Sequence, residues 1–535
     1  MERRTFVKGV VAGLVAAPSL PAIAQALEDY LAALRADLRG AGSAAARWQR
    51  VAAEFALEEG LTHLNTGSIG ATPLVVQQAH KSLLDRLEAN PYEFTWAGFA
   101  DYSLESLQAK AAWFLRAGTD EVFLTRNTTE AMNLIATGMH LDAGDEILTT
   151  DHEHPGGVWG WLHMAALHGV RVRQVHLPTP MPNRAEILSR IESGLTARTR
   201  VVSISHVNTT TGLRMPVAEI AAQVRPRGIL LVCDGAQAAG MLNVNVKDLQ
   251  VDAYACSGHK WLLAPKGTGL LYVNREAQDR IRPVSTYAGT GSGSTYAPYT
   301  AGGGTPNTPQ LLAHGLAMDF HRIVGEQQIE TRVLQLNAYL RQRLASHDRL
   351  VPVTPDDPDM ASAMVSYRVQ GMSVKAVYDA LHQRHITVKH TTYNSVYAGN
   401  SIAHEGVDVM RLSTHIYNTE EQLDRFAGAL AEVLGGTTSV GASSTGRPSQ
   451  FAVDPPHPNP FNNSTTIRYQ LPADDHVQVA VYNSQGQLVE VLTRDWQPAG
   501  THELQWTAPQ QATGTYFCRI ITGSEVEVRK MLLLR

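Results

Sequence analysis

Between residues 121 and 257, short apolar runs alternate with segments long enough to form a helix, and this alternation restricts the fold more than any other feature. The runs are EVFLT (121–125), EILTT (146–150), VRVRQV (170–175), RVVSIS (200–205), GILLVCD (228–234) and DAYACS (252–257). Strands that are joined by helices usually pair in parallel, and both faces of their sheet are covered. We therefore predict an α/β fold with a mainly parallel sheet.

The length and charge of the chain restrict its domain organisation and its partners. A chain of 535 residues, of which 44% are hydrophobic and 18% charged, can build a large core and is expected to divide into roughly two to four domains. Its net charge of −5 gives no basic surface for nucleic acid, so we expect no nucleic-acid partner. Its three cysteines are too few for a disulfide framework, so the core must stabilise the fold.

Polar residues follow several of the apolar runs, and in parallel α/β sheets ligands bind beyond the carboxyl ends of the strands. Asn127 is placed to cap a helix at which Thr128, Thr129 and free backbone N–H groups could hold a phosphate, although alone this pattern is more typical of an ordinary capped helix. Asp234 could hold a cationic ring nitrogen or form an Asp-Gly turn. Because a buried ammonium is costly, Lys260 either reaches the surface or reacts with a ligand.

The stretch TTDHEHPGGVWGWLH (149–163) contains His152, Glu153, His154 and His163. These residue types can bind zinc, but the spacing of known zinc motifs is missing. An imidazole at a strand end can instead stack on a planar ligand. We predict no metal site here.

Both ends of the chain carry features of exported proteins. Residues 1–26 combine a twin arginine (Arg3, Arg4), a short apolar stretch and a small-residue site, and RRTFVK resembles the twin-arginine signal of proteins that are exported folded. A surface amphipathic helix is the alternative. We predict a signal peptide over residues 1–26.

A second boundary lies near residue 436, where the sequence becomes rich in Gly, Ser and Thr. We predict a linker over residues 436–456 and a small all-β sandwich over residues 457–535, because period-two runs alternate there with turn signals. The motifs PNPFNNSTTIRYQLP, VYNSQGQLV, AGTHELQW and GTYFCRI resemble the FlgD-like sorting domain of type IX secretion. A sandwich that binds carbohydrate or protein is the alternative.

Four motifs of the central region resemble, in this order, the class V aminotransferases of the fold type I enzymes that use pyridoxal 5′-phosphate. They are CDGAQ (233–237), SGHKW (257–261), GGGTPNTPQLL (302–312) and MRLSTHIYNTEEQLDRF (410–426). The resemblance covers about residues 50–435. THLNTGSIGATP (62–73) and EANPYEF (88–94) are most similar to the branch typified by isopenicillin N epimerase.

The resemblance implies the domain layout of the region 27–435. A large domain with the mainly parallel sheet spans about residues 75–310. An α+β small domain is formed by the N-terminal segment and about residues 315–435.

The resemblance also implies roles for individual residues. Lys260 binds the cofactor as a Schiff base and moves protons, Asp234 keeps the ring nitrogen protonated, and His154 stacks on the ring. Gln237 donates to the ring hydroxyl oxygen, with Thr209 near it. The other cofactor-binding residues are Thr128, Thr129, Ser257, His259 and Thr305. Arg411 binds the substrate α-carboxylate, with Asn65 and Ser68 beside it.

In relatives, the residue that corresponds to Thr305 comes from a neighbouring subunit, so the resemblance implies a homodimer with shared active sites. Cysteine desulfurases carry a nucleophilic cysteine shortly before the carboxylate-binding arginine, and residues 389–411 contain none. We therefore exclude that reaction and expect transamination or epimerisation of an amino acid or amino-acid-containing peptide.

Two alternatives remain for the function. The chain could be a pyridoxal-phosphate lyase, because elimination also begins at the α-carbon. It could also be an inactive scaffold that serves as a surface binding protein, although a pure binder has no need of Asp234, His154, Lys260 and Arg411 together. Its predicted location is the periplasm, the cell surface or the medium, reached through export machinery that reads both termini.

Overall fold

The computed structural model describes residues 19–92, 104–282, 306–393, 407–435, 451–472, 475–497, 500–508, 511–522 and 525–534. The chain divides into two compact units, Met1–Gly436 and Thr437–Arg535. Within the described ranges, no helix has the length and apolar character needed to cross a membrane. The boundaries predicted for the signal peptide, the linker and the two catalytic subdomains stay predictions.

The helices described in the first unit follow one another along the chain. Their bounds are α1 (Leu20–Arg39), α2 (Ala44–Ala52), α3 (Leu74–Ala89), α4 (Leu104–Leu115), α5 (Thr128–Thr137), α6 (Pro155–His168), α7 (Arg184–Gly194), α8 (Val217–Val224), α9 (Thr308–Val324), α10 (Glu326–Leu344), α11 (Val374–His382) and α12 (Glu420–Gly435).

The strands of the first unit form three sheets in the described residues. Their bounds are β1 (Thr62–His63), β2 (Val122–Thr125), β3 (Glu146–Thr150), β4 (Arg171–Val175), β5 (Thr199–Ser205), β6 (Leu230–Asp234), β7 (Ala253–Ser257), β8 (Gly269–Val273), β9 (Leu350–Pro352), β10 (Met364–Val369), β11 (Ile386–Thr387), β12 (Lys389–Tyr393) and β13 (Val407–Ser413).

The largest sheet has seven strands in the order β2-β8-β7-β6-β5-β3-β4. Only β8 runs antiparallel to its neighbours, so the prediction of a mainly parallel sheet is confirmed. The six predicted runs correspond to β2 to β7. The alternation pattern did not reveal β8, because a loop rather than a helix joins it to β7.

This sheet is buried on both faces, as parallel sheets usually are. On β6, Leu231 and Cys233 belong to one apolar cluster, whereas Leu230 and Val232 belong to the cluster on the other face. The strand order reverses between β3 and β5: the chain passes from β3 to β4 on one side and from β5 to β7 on the other. Ligands bind at such a reversal in open α/β sheets.

Two smaller sheets carry the rest of the first unit. An antiparallel sheet has the order β12-β13-β10-β9, and the N-terminal strand β1 pairs in parallel with β11. The backbone N–H of Ser413 donates to the carbonyl of Leu64 at 2.9 Å, which ties the segment after β1 to the end of β13.

The second unit consists of antiparallel strands. Their bounds are β14 (Ala452–Val453), β15 (Ser464–Leu471), β16 (Asp475–Asn483), β17 (Leu488–Gln497), β18 (Gly500–Thr507), β19 (Gly514–Ile521) and β20 (Val526–Leu533). They form sheets of the orders β14-β15-β18 and β17-β16-β19-β20, and alternate residues of β15 and β16 share one apolar core. The predicted all-β sandwich is confirmed.

Helix α1 begins inside the predicted signal peptide. Its residues Ile23, Leu27, Tyr30, Leu34 and Leu38 recur at helical spacing, and all five are buried in the core of the first unit. Cleavage after residue 26 would remove Ile23 from this core. Residues 1–18, which hold the twin arginine, lie outside the described ranges.

We predict that Ile23→Ala lowers the free energy of unfolding of the full chain's first unit by about 2–5 kcal/mol, because a buried isoleucine leaves a cavity. Denaturant unfolding, compared with wild type, measures this change. Glu28→Ala, on the exposed side of the same helix, is the matched control and should have little effect. Equal stability of the two variants would show that the first turns of α1 contribute nothing to the core.

Candidate active site

The carboxyl ends of the parallel strands bring the predicted residues together. Asp234 ends β6, and Lys260 lies in the loop that follows the adjacent strand β7. Glu153 follows β3 and accepts a hydrogen bond from Ser205 Oγ, at the end of β5, over 2.5 Å. This bond spans the reversal of strand order, so the polar cluster lies where the topology places a ligand site.

Lys260 is partly exposed, and the charges of Asp234 and Arg411 act on its amine. Loss of solvent lowers the pKa of Lys260 to about 8; Arg411 lowers it further, and Asp234 acts in the opposite direction. Near neutral pH, a fraction of the molecules with this pKa carry a deprotonated amine. The amine can therefore act as a nucleophile and as a proton carrier. The N-terminal segment packs closely on the lysine loop: the N–H of Gly70 donates to the carbonyl of His259 at 2.9 Å.

His154 caps helix α6, and its Nδ1 accepts a hydrogen bond from the N–H of Gly156 at 3.0 Å. The residue is exposed overall, although neighbouring protein atoms partly desolvate the imidazole. This desolvation lowers the pKa of His154, as do Lys260 and Arg411, whereas Asp234 raises it. These effects favour the neutral form of the imidazole, and a ligand can reach its exposed ring.

Two of the residues predicted to hold a phosphate, Thr128 and Ser257, meet at the start of α5. Thr128 donates its backbone N–H to Ser257 Oγ at 3.0 Å, and its own hydroxyl lies 2.8 Å from the same oxygen. Asn127 caps the helix by accepting from the N–H of Glu130 at 2.9 Å. His259 Nδ1 is buried and has no hydrogen-bond partner in the described part of the chain. A phosphate would supply the missing acceptor or donor.

Two glycines allow the start of α6 to lie close to these groups. A Cβ on Gly157 would lie 2.8 Å from Asp234 Oδ2, and a Cβ on Gly156 would lie 2.3 Å from the hydroxyl of Thr129. Any side chain at these positions would collide with the polar cluster. The two glycines therefore let the backbone of α6 pack directly against Asp234 and Thr129.

Gln237 is buried and fully engaged within the protein. Its Nε2 donates to the carbonyl of Gly67 at 2.8 Å and to the hydroxyl of Thr209 at 2.9 Å, while its Oε1 accepts from the indole N–H of Trp261 at 2.8 Å. The resemblance implied that Gln237 donates to a cofactor oxygen. Both of its amide hydrogens are already used here.

Arg411, on β13, is 3% exposed. Its Nη1 donates to the carbonyl and hydroxyl oxygens of Thr209, each at 2.9 Å. Its Nη2 donates to Asn65 Oδ1 at 3.1 Å and to Ser68 Oγ at 2.9 Å. All these acceptors are neutral, and no carboxylate pairs with Arg411 among the residues described. Burial lowers the pKa of Arg411 to about 10.

Sequence reasoning considered Glu153 only as a possible metal ligand and did not predict its place beside Asp234. It is buried, accepts from Thr150 Oγ1 at 2.6 Å as well as from Ser205, and lies near Asp234. Desolvation raises the pKa of Glu153 to about 8, and the charge of Asp234 acts in the same direction. A neutral Glu153 places no second negative charge beside Asp234.

Two further sequence predictions concern the possible metal ligands and Thr305. His163 lies on the exposed side of α6, and the described ranges contain no group of three or more side chains that could hold a metal. Thr305, predicted to reach a neighbouring subunit, lies outside the described residues. Sequence reasoning assigned no role to Trp261, although a buried indole N–H requires a hydrogen-bond acceptor.

Two family models match the chain. The model described as "Aminotransferase class-V" matches residues 67–426. The model described as "Secretion system C-terminal sorting domain" matches residues 457–534.

Individual relatives agree with the first match. Isopenicillin N epimerase of Amycolatopsis lactamdurans is 31% identical over 407 residues, which are 73% of this chain and 99% of that protein. Among solved structures, the apo cysteine desulfurase of Thermococcus onnurineus NA1 matches with a TM-score of 0.62 and 25% identity over 72% of this chain and 98% of that one. A mutant of C-DES with glycine covalently linked to its pyridoxal-phosphate cofactor shares the fold: the TM-score is 0.62 and the identity 24%, over 70% of this chain and 97% of that one.

We predict that Glu153→Gln weakens the pH dependence of stability. Native Glu153 keeps its proton up to about pH 8, whereas the unfolded side chain loses it near 4.5, so the native state binds more protons in this window and wild type loses stability as pH rises through it. The stability of the variant relative to wild type should therefore increase from pH 5 to pH 8.

Thermal unfolding of both proteins at several pH values measures this difference. Glu59→Gln, at an exposed carboxylate, is the control and should follow wild type. A constant difference between Glu153→Gln and wild type would mean that Glu153 is ionised in the native protein.

Proposed function

The chain belongs to the class V aminotransferase family, and we propose that it is an exported enzyme that acts at the α-carbon of an amino acid or of a peptide containing one, as an aminotransferase or an epimerase. The cofactor of this family is pyridoxal 5′-phosphate, and the residues fit it. Lys260, Asp234 and His154 lie at the carboxyl ends of the strands, and Thr128 and Ser257 meet at the start of α5, where a phosphate would be held. When bound, the cofactor supplies an electron sink for charge that develops at the α-carbon.

The observation that carries this proposal is the buried guanidinium of Arg411, which has no carboxylate partner among the described residues and lies near Lys260, an amine of pKa about 8. An unpaired buried cation is costly, and a substrate carboxylate would compensate it. Arg411 thus fixes the α-carboxylate of an amino acid. Lys260 can then take a proton from the neighbouring carbon or return one to it.

Each residue of the site has a separate role in the proposed reaction. Lys260 would hold the cofactor and would carry protons to and from Cα of a bound substrate. Asp234 would hold a proton at the ring nitrogen. Neutral His154 offers its flat face to the ring and excludes water from that side. Asn65 and Ser68 accept hydrogen bonds from Nη2 of Arg411. An incoming carboxylate would replace them as the acceptor, and their side chains could then donate to it.

The state of the cysteines argues against the reaction of the cysteine desulfurases. Cys233, Cys256 and Cys518 are the three cysteines of the sequence, and all are buried. Desolvation raises the pKa of Cys256 and Cys518 to about 12 and that of Cys233 well above its usual range. Because a sulfur acceptor must be an accessible thiolate, this supports a reaction in which no cysteine of the chain participates.

The C-terminal unit supports the proposal that the protein is exported. Residues 457–534 match a secretion sorting domain, which supports delivery to the cell surface or the medium. We also propose a homodimer in which Thr305 of each chain completes the active site of the other. Light scattering of the purified chain tests the dimer.

We predict that the full chain, loaded with pyridoxal phosphate, absorbs visible light and that this spectrum changes on adding particular amino acids. The same panel in D2O, followed by proton NMR, should show exchange of the α-hydrogen. Inversion at Cα identifies an epimerase, an oxo acid an aminotransferase, and a cleaved side chain a lyase. Lys260→Ala should lose exchange by at least about a thousandfold, because it removes the proton carrier.

Absence of exchange with every L- and D-amino acid and peptide tested, in a protein that binds the cofactor, would favour a binding scaffold. Absence of cofactor binding would overturn the enzyme assignment itself.

We predict that Arg411→Leu leaves the substrate-free spectrum in place and raises KM for the amino acid by about a hundredfold or more, because a bidentate charged contact is lost. Steady-state kinetics with the substrate found above measures this change. Arg384→Leu, at an exposed arginine of the same unit, is the control. A KM equal to wild type would remove Arg411 from substrate binding.

A further inference from the structure

Lys389 lies beside Arg411 in the small antiparallel sheet. The register pairs Lys389 on β12 with Arg411 on β13, and Arg411 with Ser366 on β10. Directly opposed residues of two antiparallel strands carry their side chains on the same face, with Cβ atoms about 5 Å apart. The three residues therefore form one row across the sheet, and Lys389 lies at its outer end, on the edge strand.

This row points away from the apolar core of the small sheet and toward the candidate active site. Met410, next to Arg411 in the chain, is buried in the apolar cluster on the opposite face. The Ser366 hydroxyl donates to the carbonyl of Thr210, in the segment after β5, at 2.5 Å. Arg411 donates to the preceding residue of the same segment. Lys389 therefore belongs to the face of the small sheet that borders the strand ends of the large sheet.

The ammonium of Lys389 is available to a ligand. The residue is exposed, and no carboxylate pairs with it among the residues described. Asp408, on the neighbouring strand, lies on the opposite face and pairs with His390 at 2.7 Å. Desolvation lowers the pKa of His154, and the charge of Lys389 acts in the same direction. Lys389 is therefore close enough to the site to act on its imidazole through space.

Two cations on directly opposed residues are unfavourable in a sheet. Like charges at such positions destabilise the pairing of the strands, and neither Arg411 nor Lys389 has a carboxylate within the described ranges to offset the repulsion. An α-carboxylate bound to Arg411 would neutralise only one of the two charges. The row can therefore accommodate one more negative charge than a simple amino acid supplies.

We propose that Lys389 determines substrate specificity by binding a second carboxylate, which the side chain of the substrate carries. The inference deepens the proposed function and rests on it, because Arg411 must hold the α-carboxylate while the side chain extends along the row to the edge strand. A lysine ammonium is a point charge on a flexible stem. Lys389 therefore selects for charge more than for an exact side-chain length.

Two kinds of substrate carry this chemistry. The second carboxylate can end the side chain itself, as in glutamate, or it can end a residue attached through the side chain, as in γ-glutamylglycine. Both compounds keep the free α-amine and α-carboxylate that the proposed function requires. Each has a neutral counterpart of nearly the same shape, which is glutamine for the first and γ-glutamylglycinamide for the second.

The test compares each acid with its amide in the full chain loaded with pyridoxal phosphate. Exchange of the α-hydrogen in D2O, followed by proton NMR, gives kcat and KM for the four compounds. In at least one pair, wild type should show a KM for the acid that is about fivefold or more below that for the amide, because one ion pair is added. Lys389→Gln should remove this preference by raising the KM for the acid, and Lys389→Arg, which keeps the charge, should retain it.

The KM for the amide separates this role from a structural one. If Lys389 only supports the edge strand, Lys389→Gln raises KM for the acid and for the amide alike. If Lys389 binds the second carboxylate, only the KM for the acid changes. Higher ionic strength should also reduce the preference of wild type, since an exposed ion pair is screened by salt.

Lys375→Gln is the matched control. Lys375 is an exposed lysine on α11, where it pairs with Asp379. Helix α11 packs on the apolar face of the small sheet, opposite the row that contains Lys389. This variant removes the same charge from the same unit and should keep the wild-type preference.

Equal KM values within both pairs in wild type would overturn the inference, and so would a preference that survives in Lys389→Gln. Exchange confined to amino acids without a second carboxylate would also overturn it, while the proposed function would stand. If wild type exchanges the α-hydrogen of no amino acid or peptide, the proposed function itself fails, and this is seen without any variant. A preference within only one pair supports the inference and identifies which source of the second carboxylate fits the site.

Discussion

Both faces of the seven-stranded sheet are covered by apolar side chains, so polar chemistry is confined to the ends of its strands. Asp234, Glu153 and Lys260 all lie at or just beyond carboxyl ends, because along the strands themselves a charge would enter the core. The same constraint keeps these groups poorly solvated. Poor solvation lowers the pKa of Lys260 and raises that of Glu153, and the reactivity of the site follows from the burial of the sheet.

The small antiparallel sheet supplies Arg411 to the site at the strand ends of the large sheet. Arg411 enters from β13 and is held by Asn65 and Ser68, which belong to the N-terminal segment, and by Thr209, which follows β5. Three distant parts of the chain thus converge on one guanidinium. Because all its partners are neutral, the guanidinium keeps its charge available for a ligand.

Sequence reasoning predicted the features that repeat locally. Strands β2 to β7 were predicted because each is an apolar run with a helix after it, and Asp234 and Lys260 were found because they end such runs. Strand β8 was missed because no helix precedes it. The contacts of Gln237 could not be predicted, since they join Gly67, Thr209 and Trp261 across long stretches of chain. The raised pKa of Glu153 likewise comes from packing that no local pattern reveals.

The burial of the three cysteines also bears on where such a protein can operate. Thiols that are shielded from solvent and hold their protons react slowly with peroxides and with disulfides. A chain without an exposed thiol needs neither a reducing cytosol to protect it nor an oxidising compartment to cross-link it. Its cysteines therefore give the fold little dependence on the redox potential of the surrounding compartment.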